Sequence, residues 1–109
     1  EGAILAKMGD RGQLGNVIVD GPLSLDVALY KEVAEHKKVK GSSVAGDPDC
    51  LLFPNIESAN VFFKAASHFA GAELAAMVMG TKVPCVLTSR GDTALTKKYS
   101  IALACLAAR

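Results

Sequence analysis

The chain has 109 residues, of which 50% are apolar, and this is enough for one small domain with its own core. Its formal net charge of +1 excludes the strong positive field with which proteins attract nucleic acids or anionic membranes. No apolar run is long enough to cross a bilayer, so we expect neither a nucleic-acid nor a membrane partner.

The three cysteines indicate the redox compartment. Cys50, Cys85 and Cys105 are odd in number, far apart and each set in an apolar run, with no spacing typical of a metal site. We expect reduced, buried thiols in a cytoplasmic protein, and no bound metal. The sequence starts without Met inside a helical run, so we also expect it to be a piece of a longer protein.

Hydrophobic periodicity predicts the elements. In chain order they are a helix over residues 3–9, a strand over 16–20, a helix from Ser24 to about Lys38, a strand over 50–53, a helix from Glu57 to Gly71, strands over 74–80 and 85–88, and a helix to the C-terminus. Tyr30-Lys31 is expected to divide the second of these helices into two pieces. Because strands and helices alternate, we predict an α/β fold, a layered, largely parallel sheet with flanking helices.

Polar residues that follow the strand at 85–88 predict an anion site. Ser89, Arg90 and Asp92 lie between a strand end, where ligands bind in α/β sheets, and a helix N-terminus, which favours anions. The guanidinium of Arg90 matches phosphate or carboxylate oxygens. However, Ser89 and Asp92 also fit a Ser-x-x-Asp capping box that needs no ligand, and both interpretations remain open.

Other polar residues add to this prediction. Asn60 and Lys64 are one turn apart on a predicted helix and point the same way, so they could hold a phosphate, although spacing alone favours a solvated helix face. Asp20 lies at the end of a predicted strand, where ligands sit.

Four runs, taken together in their order and spacing, carry a resemblance to a known family. They are Val-Asp-Gly-Pro-Leu-Ser-Leu-Asp at 19–26, Val-Ala-Gly-Asp at 44–47, Phe-Pro-Asn-Ile-Glu-Ser-Ala-Asn at 53–60 with Lys64, and Leu-Thr-Ser-Arg-Gly-Asp at 87–92. The sequence resembles the C-terminal part of the phosphate acetyltransferase / phosphate butyryltransferase family. The Pro-Asn-Ile-Glu and Leu-Thr-Ser-Arg forms look closer to the butyryl branch.

The resemblance implies a fold and a reaction. The reaction is reversible acyl transfer, in which acyl-CoA and phosphate give acyl phosphate and CoA, with CoA as a substrate and no cofactor. The fold is isocitrate/isopropylmalate-dehydrogenase-like, with residues 1–82 part of the second α/β domain and 83–109 returning to the first. A homo-oligomer through the second domain is expected, and the isolated piece is expected to be inactive because the N-terminal portion is absent.

The same resemblance implies roles for individual residues. Ser89 would donate to the carbonyl or phosphoryl oxygen and Arg90 would clamp phosphate, where charge builds up. In the acetyl branch an Asp seven residues after the Ser is proposed as the general base, but that position is Thr96 here, so Asp92 is the nearest carboxylate and completes the catalytic set. The substrate-binding candidates are Asn60, Lys64, Asn55 and Asp20.

A second function stays open. The same fold serves as a non-catalytic, acyl-CoA-binding regulatory or oligomerisation domain at the end of some malic enzymes. Retention of Ser89 and Arg90 together with Asn60 and Lys64 favours the enzyme.

Overall fold

The computed structural model describes residues 1–108. The described residues form five helices, α1 Gly2–Asp10, α2 Leu25–Leu29, α3 Lys31–His36, α4 Ile56–Phe69 and α5 Ala94–Ala107. The chain divides into two compact units, Glu1–Ala59 and the part from Asn60 on, and α4 begins in the first unit and continues into the second. The predicted helices are therefore confirmed, including the break at Tyr30, whose extended backbone (φ −121°, ψ 116°) separates α2 from α3.

In the first unit, α2 and α3 pack together and bury Val27, Ala28 and Ala34. The loop over residues 41–49 crosses them at Gly46, whose N–H donates to the Ala28 carbonyl at 2.9 Å. A Cβ at Gly46 would lie 2.5 Å from the Lys31 Cα, and the backbone there has φ +88°, so only glycine fits.

An ion pair links α2 to the residue that follows α3. Lys37 Nζ donates to Asp26 Oδ2 at 2.7 Å, and the N–H of Val27 donates to Asp26 Oδ1 at 2.9 Å. The hydrogen bond from Lys37, followed by one from Ser24, lowers the pKa of Asp26 to about 2.

A buried hydroxyl links α5 to an earlier segment of the second unit. Ser100, 1% exposed, donates from Oγ to the Thr96 carbonyl at 2.8 Å and accepts the N–H of Ala76 at 3.0 Å. Farther along the same irregular segment, Val78 and Cys85 form an antiparallel bridge, with the Val78 N–H donating to the Cys85 carbonyl at 2.9 Å. These bonds join α5 to the segment that precedes it and close that segment on itself.

The predicted strands are not formed in residues 1–108. The runs at 16–20, 50–53, 74–80 and 85–88 lack any ladder, and the bridge between Val78 and Cys85 is the only β pairing in that part of the chain. The layered, largely parallel sheet is therefore not confirmed. A strand requires a neighbour for its backbone N–H and C=O groups, and parallel strands are normally covered on both faces. Here apolar side chains of all four runs are uncovered, and the exposed fractions are 75% for Ile18, 78% for Leu52, 78% for Met79 and 80% for Leu87.

The total exposed area is also large for a chain of this mass. The chain exposes 8666 Å², whereas two separate compact globules of half its mass would together expose about 6,900 Å². The expectation of buried thiols is wrong for Cys50 and Cys105, which are exposed, while Cys85 is half-buried and all three are free. None of the helices in the described part has the length and apolar character needed to span a membrane.

Candidate functional site

Residues 89–92 form a turn that is closed by two hydrogen bonds between Ser89 and Asp92. Asp92 Oδ2 accepts the N–H of Ser89 at 2.7 Å, and the Asp92 N–H donates to the Ser89 carbonyl at 3.1 Å. The Asp92 side chain is only 12% exposed, so its carboxylate belongs to the framework of the turn. The shape of the turn is therefore set by hydrogen bonds between its own residues.

The helix begins after this turn and has its own cap. Thr93 is the N-cap of α5, and its Oγ1 accepts the Thr96 N–H at 3.1 Å. Asp92 does bond to the Ser89 N–H as in a capping box, but the capping-box interpretation is wrong because α5 starts only at Ala94. The threonine at the N-cap position was the sequence signal that indicated the correct start.

The side chains of Ser89 and Arg90 are presented outward from the turn. Both residues are exposed. Within residues 1–108 neither the Ser89 hydroxyl nor the Arg90 guanidinium has a hydrogen-bond or ion-pair partner. A guanidinium with all its donors unused and a hydroxyl on the neighbouring residue are suited to the oxygens of an anion.

Lys64 of α4 brings a second cation to the turn. Its Nζ lies 4.0 Å from Asp92 Oδ1 and 4.8 Å from the centroid of the Phe63 ring. The Lys64 side chain is 40% exposed, so part of it remains accessible to solvent. Asn60, one turn earlier on α4, is exposed. The structure thus brings Ser89, Arg90, Asp92 and Lys64 together in one unit of the chain.

An open cavity of about 240 Å³ lies beside Lys64 and Asp92, whereas Ser89, Arg90 and Asn60 do not line it. Lys64 and Asp92 contribute to its wall, together with Ser67, His68, Thr96 and Tyr99. The volume is below the usual range for drug-sized ligands and suits a small group such as a phosphate. Thr96, which replaces the carboxylate expected seven residues after Ser89, lines this cavity.

Asp20 and Asn55 lie in the first unit and are engaged locally. Asp20 Oδ1 accepts the N–H of Gly21 at 2.7 Å. Asn55 Oδ1 accepts the N–H of Ser58 at 2.9 Å, which makes Asn55 the cap of α4, a role that the sequence analysis missed although Asn is a preferred N-cap. In each case one polar atom of the side chain remains available. No group of three His, Cys, Asp or Glu side chains in residues 1–108 is arranged to hold a metal ion.

The sequence of the chain is similar to those of known proteins. The sequence profile described as "Phosphate acetyl/butaryl transferase" matches residues 5–105. The chain is 50% identical over 108 residues to the phosphate butyryltransferase of Clostridium beijerinckii, covering 99% of this chain and 35% of that protein. It is also 50% identical over 103 residues to the phosphate acetyltransferase of Thermotoga maritima, covering 94% of this chain and 35% of that protein.

A solved structure is similar as well. The crystal structure of a branched-chain phosphotransacylase from Enterococcus faecalis V583 superposes with a TM-score of 0.74 at 36% identity, over 94% of this chain and 39% of that one. The chain therefore spans about a third of the length of the curated relatives it matches.

Proposed function

The chain belongs to the phosphate acetyl/butaryl transferase family, and on this premise we propose that the complete protein in which it occurs catalyses reversible transfer of a short acyl group between CoA and inorganic phosphate. CoA is a substrate, and the proposal needs no cofactor. The observation that carries it is the closed turn at 89–92, with two unpartnered anion-binding side chains and Lys64 beside it.

The reaction explains why these residue types are needed. A phosphate oxygen attacks the thioester carbonyl, a C–O bond forms, the C–S bond breaks and CoA leaves as its thiolate. Arg90 binds the phosphate by its planar fork of donors, and the Ser89 hydroxyl donates to the oxygen on which negative charge develops. Lys64 adds a second cation that phosphate can reach, and the Asn60 amide contacts the same substrate.

Two further substrate contacts belong to the proposal. Asp20 and Asn55 each use one oxygen in a local hydrogen bond. The second carboxylate oxygen of Asp20 and the amide nitrogen of Asn55 remain available to CoA or phosphate. Asp92 completes the catalytic set through the turn that it closes.

The architecture of the complete protein is also a proposal. Residues 1–82 would be part of a second α/β domain, and 83–109 would return to the first, in a fold with a layered, largely parallel sheet of the isocitrate/isopropylmalate-dehydrogenase-like type. The uncovered apolar runs at 16–20, 50–53, 74–80 and 85–88 support this, because each needs a neighbouring strand. The same uncovered surface supports homo-oligomerisation through the second domain, and the three free cysteines support a cytoplasmic location.

The test is a CoA-release assay with phosphate, and with arsenate as the acceptor that makes the reaction irreversible. Acetyl-CoA and butyryl-CoA are compared as donors for the complete protein and for residues 1–109 alone. We expect turnover by the complete protein, faster with butyryl-CoA, and none by residues 1–109 alone. Absence of turnover with both donors in the complete protein would refute the proposed acyltransferase activity.

Arg90→Ala tests the site within this assay. Deletion of a charged partner of developing negative charge is expected to cost about 2 to 4 kcal/mol of transition-state stabilisation, or about 10²- to 10³-fold in kcat/KM. Arg90→Lys keeps the charge without the fork and should be intermediate. Lys98→Ala removes an exposed cation of α5 outside the turn and serves as the control, with activity near that of the wild type. Arsenolysis at the wild-type rate in Arg90→Ala would show that Arg90 is not part of the active site.

A second candidate function is a non-catalytic acyl-CoA-binding domain that drives assembly. The large uncovered apolar surface favours it, since such patches are typical of interfaces. Binding of butyryl-CoA to the complete protein by calorimetry, together with the absence of CoA release, would establish this alternative.

A further inference from the structure

The carboxylate of Asp92 joins two parts of the candidate site. Its Oδ2 accepts the Ser89 N–H at 2.7 Å, and its Oδ1 faces Lys64 Nζ at 4.0 Å. The Asp92 side chain is 12% exposed, compared with 40% for Lys64. Both oxygens are thus directed at groups of this chain, one in the turn and the other on α4.

A general base requires a different arrangement. It must come within hydrogen-bond distance of the proton that it removes, with a lone pair directed at the substrate. Asp92 is instead turned towards the backbone of its own turn and shielded from solvent. The groups that point outward are the neighbouring Ser89 hydroxyl and Arg90 guanidinium, which have no partner in the described part of the chain.

Lys64 depends on Asp92 for its placement. Its Nζ lies 4.8 Å from the centroid of the Phe63 ring and 4.0 Å from Asp92 Oδ1. A lysine side chain has four rotatable bonds, so without such contacts its charge would be spread over many positions. The carboxylate therefore keeps the ammonium near the turn, where the exposed part of the side chain can still reach an anion.

We infer that Asp92 is a positioning residue for acyl transfer, whose carboxylate fixes the Ser89–Arg90 turn and aligns Lys64 with it, so that hydroxyl, guanidinium and ammonium meet the same phosphate. This inference rests on the proposed function. According to this inference, Asp92 is not the proton acceptor, and its carboxylate instead connects the turn to Lys64 of α4.

Two substitutions in the complete protein separate these roles. In Asp92→Asn the carboxamide oxygen can still accept the Ser89 N–H but the charge that faces Lys64 is lost, so kcat should be largely kept while the KM for phosphate rises to about that of Lys64→Met. Asp92→Ala releases both the turn and the lysine, and a misplacement of this kind is expected to cost about 10²-fold, chiefly through a higher KM for phosphate.

The pH profile provides a second readout. The titratable groups that share the cavity with Asp92 are Lys64, His68, Glu73 and Tyr99, and Asp92→Asn leaves all of them in place. If Asp92 is not the base, the pH profile of kcat/KM for Asp92→Asn should keep both limbs.

A double-mutant comparison tests the link to α4. Lys64→Met should raise the KM for phosphate in the wild type and have little further effect in Asp92→Ala, because the lysine is already displaced there. Independent, multiplicative effects of the two substitutions would contradict the link.

These experiments distinguish failure of the inference about Asp92 from failure of the proposed acyl-transfer function. If the wild type transfers no acyl group, the function itself is refuted. If the wild type is active but Asp92→Asn loses about 10²- to 10⁴-fold in kcat and one limb of its pH profile, Asp92 is the base and the inference is wrong. Helix content and the unfolding midpoint are measured for each variant. Should Asp92→Ala fail to fold, Asp92→Asn against the wild type decides the question alone.

Discussion

At the scale of single residues, the ion pair between Asp26 and Lys37 gives the first unit a defined acid response. The pKa of Asp26 is lowered from 3.8 to about 2, first by the hydrogen bond from Lys37 and then by that from Ser24. A carboxyl whose pKa is lower in the folded state stabilises the fold above its unfolded pKa and loses this effect as the pH falls through its folded pKa. The contribution of Asp26 should therefore be complete above about pH 4 and gone below about pH 2. Both side chains are 48% exposed, so solvent and salt weaken the pair.

The corresponding prediction concerns the titration of Asp26. In the wild type the carboxyl carbon should titrate near pH 2 by NMR, and in Lys37→Met the midpoint should move up towards 3.8 because the main donor is lost. Asp26→Asn should abolish the part of the unfolding free energy that changes between these two pH values. A wild-type midpoint at 3.8 would show that the 2.7 Å hydrogen bond does not persist in solution.

At the scale of elements, α5 is attached to its unit by a hydroxyl. Ser100→Ala should lower the free energy of unfolding by about 1 to 3 kcal/mol, because the Ala76 N–H loses its acceptor. Ser67→Ala is the matched control, since Ser67 donates only to the Lys64 carbonyl of its own helix and should cost much less. Urea unfolding of the complete protein measures both, and hydrogen exchange of the Ala76 amide should speed up in Ser100→Ala alone. Equal effects of the two substitutions would contradict this account.

The elements also show what the sequence could predict. Local signals were sufficient for α4, for the interruption at Tyr30 and for the presence of α5, since helices depend on neighbours in sequence. They did not indicate which face of α5 is covered, where Leu106 is 69% exposed and Ser100 is buried. The predicted strands are not formed, because strand pairing depends on segments that are distant in sequence. Hydrophobic periodicity contains no information about such segments.

The candidate site was predictable in its residue types but not in its connections. Strand-end position and chemistry made Ser89 and Arg90 candidates for anion binding, whereas for Lys64 spacing alone favoured a solvated helix face. The contact of Asp92 with both Ser89 and Lys64 could not be predicted, because Lys64 and Asp92 are far apart in sequence and only the fold brings them to 4.0 Å.

At the scale of the whole molecule, the uncovered apolar surface decides how residues 1–109 behave alone. The exposed area of 8666 Å² is well above the roughly 6,900 Å² of two compact globules of the same total mass. Residues 1–109 alone should therefore bind the dye ANS and associate as concentration rises, whereas the complete protein should bind much less dye.

Phe69 provides a specific variant for this prediction. Its ring is 91% exposed at the end of α4, so Phe69→Gln should reduce dye binding and self-association of residues 1–109 without lowering the unfolding midpoint. Large destabilisation, on the order of the 3 to 5 kcal/mol typical of a deleted core aromatic, would show that the ring is packed instead.

The separation of the 89–92 turn from α5 has a consequence for motion. Because Thr93 supplies the cap, the two hydrogen bonds that close the turn are independent of those that start the helix. We therefore expect the turn to open locally by losing these two bonds while the hydrogen bonds of α5 stay intact.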